Sequence, residues 1–215
     1  VGGGIYSPMM SSSDGAANWV EVAPASFTLN YNAHAIAYKG SDTDFWVMGF
    51  ADGSFFTASN AVDWGDTGAA AATQINAIAY DGTSRWASVG QTGKVYYSDD
   101  NFGSVTEAVY PWASNVFGLC YAGGSINKWI AVGATGRIAY SSDGQAFTAS
   151  TVPGVVGSTN LQAVATDNTT LVAVGNNNMI LTSSDGTNWV RVSSSASDGY
   201  LLYAVACDIV GAGMR

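Results

Sequence analysis

The chain has 215 residues, 47% of them apolar and only 11% charged, and its formal net charge is −9 with seven basic side chains in all. The apolar content is ample for a packed core, while so few cations on an acidic chain argue against a phosphate-backbone partner, so no nucleic acid is expected. No apolar run reaches the ~18 residues of a spanning helix and no basic-then-apolar leader opens the chain, so no membrane insertion is expected, and the start at Val1 points to processing or excision from a longer polypeptide.

Gly, Ser, Ala, Asn and Thr over a base of Val, Ile, Tyr and Trp favour strands joined by tight turns, an all-β chain. In chain order one element recurs: Ala35-Ile36-Ala37-Tyr38, Ala77-Ile78-Ala79-Tyr80, Gly118-Leu119-Cys120-Tyr121, Ala163-Val164-Ala165-Thr166 and Ala204-Val205-Ala206-Cys207. The steps of 42, 41, 45 and 41 residues are those of one four-stranded blade of a β-propeller. A second strand follows, ending on glycine at Gly49, Gly90, Gly133 and Gly175. Hairpin turns such as Gln91-Thr92-Gly93 come next, built of residues that tolerate positive φ. Alternation in the first strand sets small residues (Ala35, Ala37) opposite larger ones (Ile36), so each blade can pack its large face on its neighbour's small face. Cys120 and Cys207 differ by one residue in register, point to opposite faces, and are not expected to form a disulfide.

The third strand runs into Ser12-Ser13-Asp14-Gly15 with Trp19, Ser141-Ser142-Asp143-Gly144 with Phe147, and Ser183-Ser184-Asp185-Gly186 with Trp189; weaker copies hold Asn60 with Trp64 and Asp100 with Phe102. From Gly53, Gly93, Gly136 or Asn178 to the Asn or Asp of this turn is seven residues each time. The pattern resembles the Asp-box of the BNR-type repeat families over essentially the whole chain. Asp14, Asn60, Asp100, Asp143 and Asp185 are then structural turn residues, their side chains accepting backbone N–H groups of the hairpin. The expected fold is a single domain over 1–215, a five-bladed β-propeller of four-stranded antiparallel blades at about 34–65, 75–106, 116–149 and 161–192. A fifth blade joins 202–215 to 1–22, so that N- and C-terminal strands pair and close the ring.

The resemblance raises the sialidases, which as a family bind a substrate carboxylate with three arginines and use a tyrosine activated by a glutamate, with an acid/base aspartate. The only arginines here are Arg85, Arg137, Arg191 and Arg215, and Arg85 and Arg137 sit at different edges of their blades. Glu21 and Glu107 are the only glutamates, and neither pairs with a tyrosine that the repeat brings to the axis. His34 is the only histidine, which leaves no His-based metal cluster and a Ser-His-Asp set resting on one residue. The expectation is a protein that is not an enzyme and carries no metal and no cofactor.

The residues entering the first strands, His34, Asn76, Phe117, Gln162 and Tyr203, are expected to ring the mouth of the central channel, where amides, an imidazole and aromatics suit a sugar or a small polar surface. Phe50, Tyr110 and Trp112 are the expected contact residues in the loops beside that ring. A rigid ring without catalytic machinery reads as a recognition or assembly module on a virion (phage tail, fibre or capsid decoration) or an extracellular surface, its partners protein neighbours or surface glycans. The alternatives are a carbohydrate-binding lectin and an assembly factor for a larger complex.

Overall fold

The computed structural model describes residues 9–11, 18, 20–22, 32–40, 45–60, 63–154, 157–192 and 199–207. The first short strands, β1 (Met9–Ser11) and β2 (Val20–Val22), pair antiparallel. Four four-stranded antiparallel sheets follow, each a simple meander. The first is β3 (Ala33–Tyr38), β4 (Trp46–Phe50), β5 (Ser54–Ala58) and β6 (Gly65–Ala70). The second is β7 (Ile75–Tyr80), β8 (Trp86–Gly90), β9 (Val95–Ser98) and β10 (Thr106–Glu107). The third comprises β11 (Val116–Ala122), β12 (Lys128–Gly133), β13 (Ile138–Ser141) and β14 (Thr148–Ala149). The fourth comprises β15 (Leu161–Thr166), β16 (Leu171–Gly175), β17 (Ile180–Ser183) and β18 (Val190–Arg191). The sheets stand side by side like propeller blades, β3 beside β7, β7 beside β11 and β11 beside β15.

The small-against-large alternation packs these blades together. Ile78, Leu119 and Val164 are 8%, 7% and 8% exposed. Each sits in a core shared with the preceding blade: Ile78 with Ala35, Ala37 and Val47, Leu119 with Ala77, Ala79 and Ala87, Val164 with Cys120, Ile130 and Val132. Burying each such side chain is worth about 1.5–3 kcal/mol. Ile36, at the same repeat position in the first blade, is 56% exposed.

Two features depart from the sequence reading. Gly49 pairs with Ala35, as Val89 does with Ala77, so the residue matching Gly90, Gly133 and Gly175 is Phe50, not Gly49. Each first strand also carries a β-bulge, at His34, Asn76, Phe117 and Gln162, where one residue is left out of the ladder.

The segment 199–207 lies along the fourth blade. The Asn178 N–H donates to Tyr200 O at 3.0 Å and the Leu202 N–H to Gly175 O at 3.1 Å. Val205 is half-buried, while Ala204 and Ala206 are exposed. Of the expected fifth blade, β1 and β2 pair with each other and residues 202–207 form no strand, while 1–8, 12–17, 19 and 208–215, Asp14 and Trp19 among them, lie outside the described residues.

Candidate functional site

Neighbouring blades are tied at both ends. At one end are the Asp-box turns. Ser141 Oγ donates to Asp143 Oδ1 at 2.9 Å and accepts the Gly144 N–H, and Asp143 Oδ1 accepts the N–H groups of Gln145 and Ala146. Asp185 repeats this set with Ser183, Thr187 and Asn188, and Asp100 holds Ser104. Asn60 accepts the Asp63 N–H at 2.8 Å. These bonds hold the Asp143 and Asp185 carboxyls below the ordinary range, led by the N–H of Gln145 and of Asn188 respectively.

A cation at the start of the second strand reaches across to the next blade's box. Arg85 donates to Asp143 O while its guanidinium also pairs with Asp99, and Lys128 donates to Asp185 O at 2.9 Å. The box is therefore a joint between blades as well as a turn.

At the other end the turns between second and third strands carry Thr92 and Thr135 at φ 54° and 57°, a strained region for a β-branched residue. Each is held by an asparagine of the next blade: the Thr92 N–H donates to Asn115 Oδ1 at 2.9 Å, and the Thr135 N–H to Asn160 Oδ1 at 3.1 Å. The same asparagines accept, through their backbone carbonyls, N–H groups of their own blade, from Ala134 and Asn176. Gly93 follows Thr92 because the next link passes against it: a Cβ there would lie 1.8 Å from Trp112 O.

This second face carries an open groove of about 540 Å³, lined by Lys94, Glu107, Val109, Tyr110, Pro111 and Trp112. Lys94 Nζ sits 2.6 Å from Glu107 Oε1, with the two side chains 35% and 51% exposed. The Tyr110 and Trp112 rings meet edge to face at 5.7 Å. Arg137 lies over Trp112, its Cζ 5.2 Å from the ring centroid, and its Nη1 donates to Ser114 Oγ at 2.8 Å. Burial pushes the Tyr110 phenol up, the opposite of activation as a nucleophile, and Arg137 offsets this only in part. The bond to Glu107 raises the Lys94 ammonium and keeps it charged.

Of the expected contact residues, Tyr110 and Trp112 belong to this groove. Phe50 does not serve as one: it is 1% exposed, packed against Phe56 with ring centroids 5.0 Å apart. The expected channel-mouth residues occupy equivalent bulges, and two are bonded within the fold. Asn76 Nδ2 donates to Val116 O of the next blade at 2.7 Å, and Gln162 Nε2 donates to Asn176 Oδ1 at 3.0 Å. Phe117 is half-buried, while His34 and Tyr203 stand exposed. Among the described residues no group of three or more His, Cys, Asp and Glu could hold a metal ion.

Lys94 escaped the sequence reading, which weighed Glu107 and Arg137 only against a sialidase site, although superposing the repeats exposes all three. Where the second blade has Lys94, the others have Ser54, Arg137 and Met179; where it has Glu107, the third has Ala149; and Trp112 stands where the third has Gly154.

No protein-family model matches the sequence, and no curated protein matches it. Solved structures do. YCF48 from Cyanidioschyzon merolae is 14% identical with a TM-score of 0.67, the match covering 92% of this chain and 70% of that one. A structure of YCF48 bound to D1 peptide is 12% identical with a TM-score of 0.63, over 86% of this chain and 60% of that one. An ancestral GH74 enzyme is 16% identical with a TM-score of 0.64, over 76% of this chain and 24% of that one. The chain thus spans 60% of the peptide-bound YCF48 and about a quarter of the enzyme. At these identities the likeness is one of fold, an all-β array of propeller blades with Asp-box-like turns.

Proposed function

We propose that the chain forms a closed five-bladed ring and works as a non-catalytic recognition and assembly module, holding its partner in the groove beside Trp112. The observation that carries this reading is the departure from the repeat. Among the described residues, only the interface between the second and third blades joins an exposed ion pair to an aromatic pair. The groove sits on two stapled blades, a rigid support for a site.

A non-catalytic role is favoured by the chemistry of the groove, where Tyr110 is held protonated by burial and Glu107 is engaged by Lys94. YCF48 bound to D1 peptide offers a protein of this fold carrying a bound polypeptide. Closure is favoured by complementary faces at the two ends of the blade array: exposed Ala204 and Ala206 at one, exposed Ile36 at the other. The low charged content favours a virion or an extracellular surface as the module's setting.

The test is an array carrying glycans and peptides, probed with the protein and with Trp112→Ala. Saturable binding that disappears in a folded Trp112→Ala variant, with the ligand recovered at unchanged mass, is the expected result. Turnover of the ligand, or binding that survives Trp112→Ala and fails in Tyr203→Ala, contradicts the proposal.

A further inference from the structure

We infer that the Lys94–Glu107–Trp112 groove is a single binding site for a neutral oligosaccharide presenting adjacent hydroxyl groups. The inference rests on the groove being the recognition site proposed above and adds the chemical class of its ligand.

Charge complementarity selects that class. Lys94 and Glu107 place an N–H donor and a carboxylate acceptor 2.6 Å apart on neighbouring strands, both partly open to solvent. Two vicinal hydroxyls match such a pair, one oxygen accepting from the ammonium and the other O–H donating to the carboxylate. A ligand carboxylate placed at the pair meets the Glu107 charge and a ligand ammonium meets Lys94, so a charged ligand there loses on one side what it gains on the other.

The wall beside the pair is apolar. Trp112 is fixed by Arg137 at 5.2 Å and by the Tyr110 edge at 5.7 Å, and Pro111 and exposed Val109 continue the surface. A pyranose has one face of C–H groups that packs on such a surface while its hydroxyls turn to the ion pair. The 540 Å³ volume lies within the ~300–1,000 Å³ range of small-ligand clefts, room for a short oligosaccharide.

The site also differs from a repeated lectin site. The third blade offers Arg137, Ala149 and Gly154 at the corresponding positions, the first Ser54 and the fourth Met179, so among the described blades the groove is not reproduced. Binding is therefore one ligand per chain.

The test is calorimetric titration of the full chain with cellotriose, mannotriose and N,N′,N″-triacetylchitotriose, with 3′-sialyllactose and the glucosamine trisaccharide as anionic and cationic controls. At least one neutral trisaccharide should bind one to one. Trp112→Ala, and a Lys94→Met/Glu107→Leu variant that removes donor and acceptor together, should each weaken it about tenfold or more while circular dichroism stays unchanged. Preference for a charged sugar, several sites per chain, indifference to both variants, or no binding of all three neutral trisaccharides overturns the inference. Peptide binding on the array that is lost in Trp112→Ala, with no sugar bound, overturns this inference alone; silence of the whole array removes the recognition reading with it.

Discussion

Asp143 and Asp185 hold their turns best as ionised groups, because a charged carboxylate accepts the converging N–H donors of residues two and three positions on more strongly than a neutral acid does. With folded-state pKa values below those of the unfolded chain, the unfolded state binds more protons in acid, so their contribution is full above about pH 4 and is lost as pH falls further. Urea unfolding at pH 7 and pH 3 should show that loss, and Asp185→Ala should be about 1 kcal/mol less stable at pH 7 with a smaller drop on acidification. Ser88 is the opposite case. Its hydroxyl is buried between Ile78 and Tyr96 with no hydrogen-bond partner among the described residues, and the corresponding residues are Met48, Ala131 and Ala173. Ser88→Ala should raise stability by up to about 1 kcal/mol, seen as a higher urea midpoint with an unchanged slope. The Asp-box turns were legible in the sequence because side-chain oxygen, glycine and aromatic recur at fixed spacing. Phe50 was not, because glycine was taken as the mark of the strand end, and in the first blade Gly49 falls one residue early.

At the scale of the element, what matters is how one blade holds the next. Asn115 serves two blades at once, taking the Ala134 N–H on its backbone carbonyl and the Thr92 N–H on its side chain. Asn115→Ala should therefore cost about 1 kcal/mol and loosen the Thr92 turn beside the groove, measurable as faster amide exchange at Thr92 and Gly93. Lys128→Met removes both the bond to Asp185 O and the ammonium that lies 5.7 Å from the Tyr140 ring centroid, so its loss in urea should be ~1 kcal/mol or somewhat more. The strands were legible from period-two alternation. These ties were not: a bulge breaks the alternation at the entry of each first strand, so the sequence pointed to Phe117 and Gln162 while Asn115 and Asn160, two positions earlier, span the blades. Lys94 and Glu107 stayed hidden for another reason, since their meeting depends on the pairing of β9 with β10, thirteen residues apart in the chain.

For the whole molecule, the account requires a ring whose last face meets its first. Inside the array the arrangement recurs: Ile78 and Leu119 share a core with alanines of the preceding blade, and Val164 with Cys120, Ile130 and Val132. In the proposed closed ring, exposed Ile36 and the exposed pair Ala204 and Ala206 would be the two halves of one more such contact. Closure would also remove the exposed edges of the end blades and give the groove a rigid frame. The most direct measurement is the rate of thiol labelling of Ile36→Cys, compared with Ile78→Cys, in a Cys120→Ser/Cys207→Ser background. A closed ring predicts that the two thiols are protected alike and react only as the protein opens. An Ile36→Cys thiol that reacts as fast as an unfolded peptide, while Ile78→Cys stays protected, would contradict closure and leave an open array of blades.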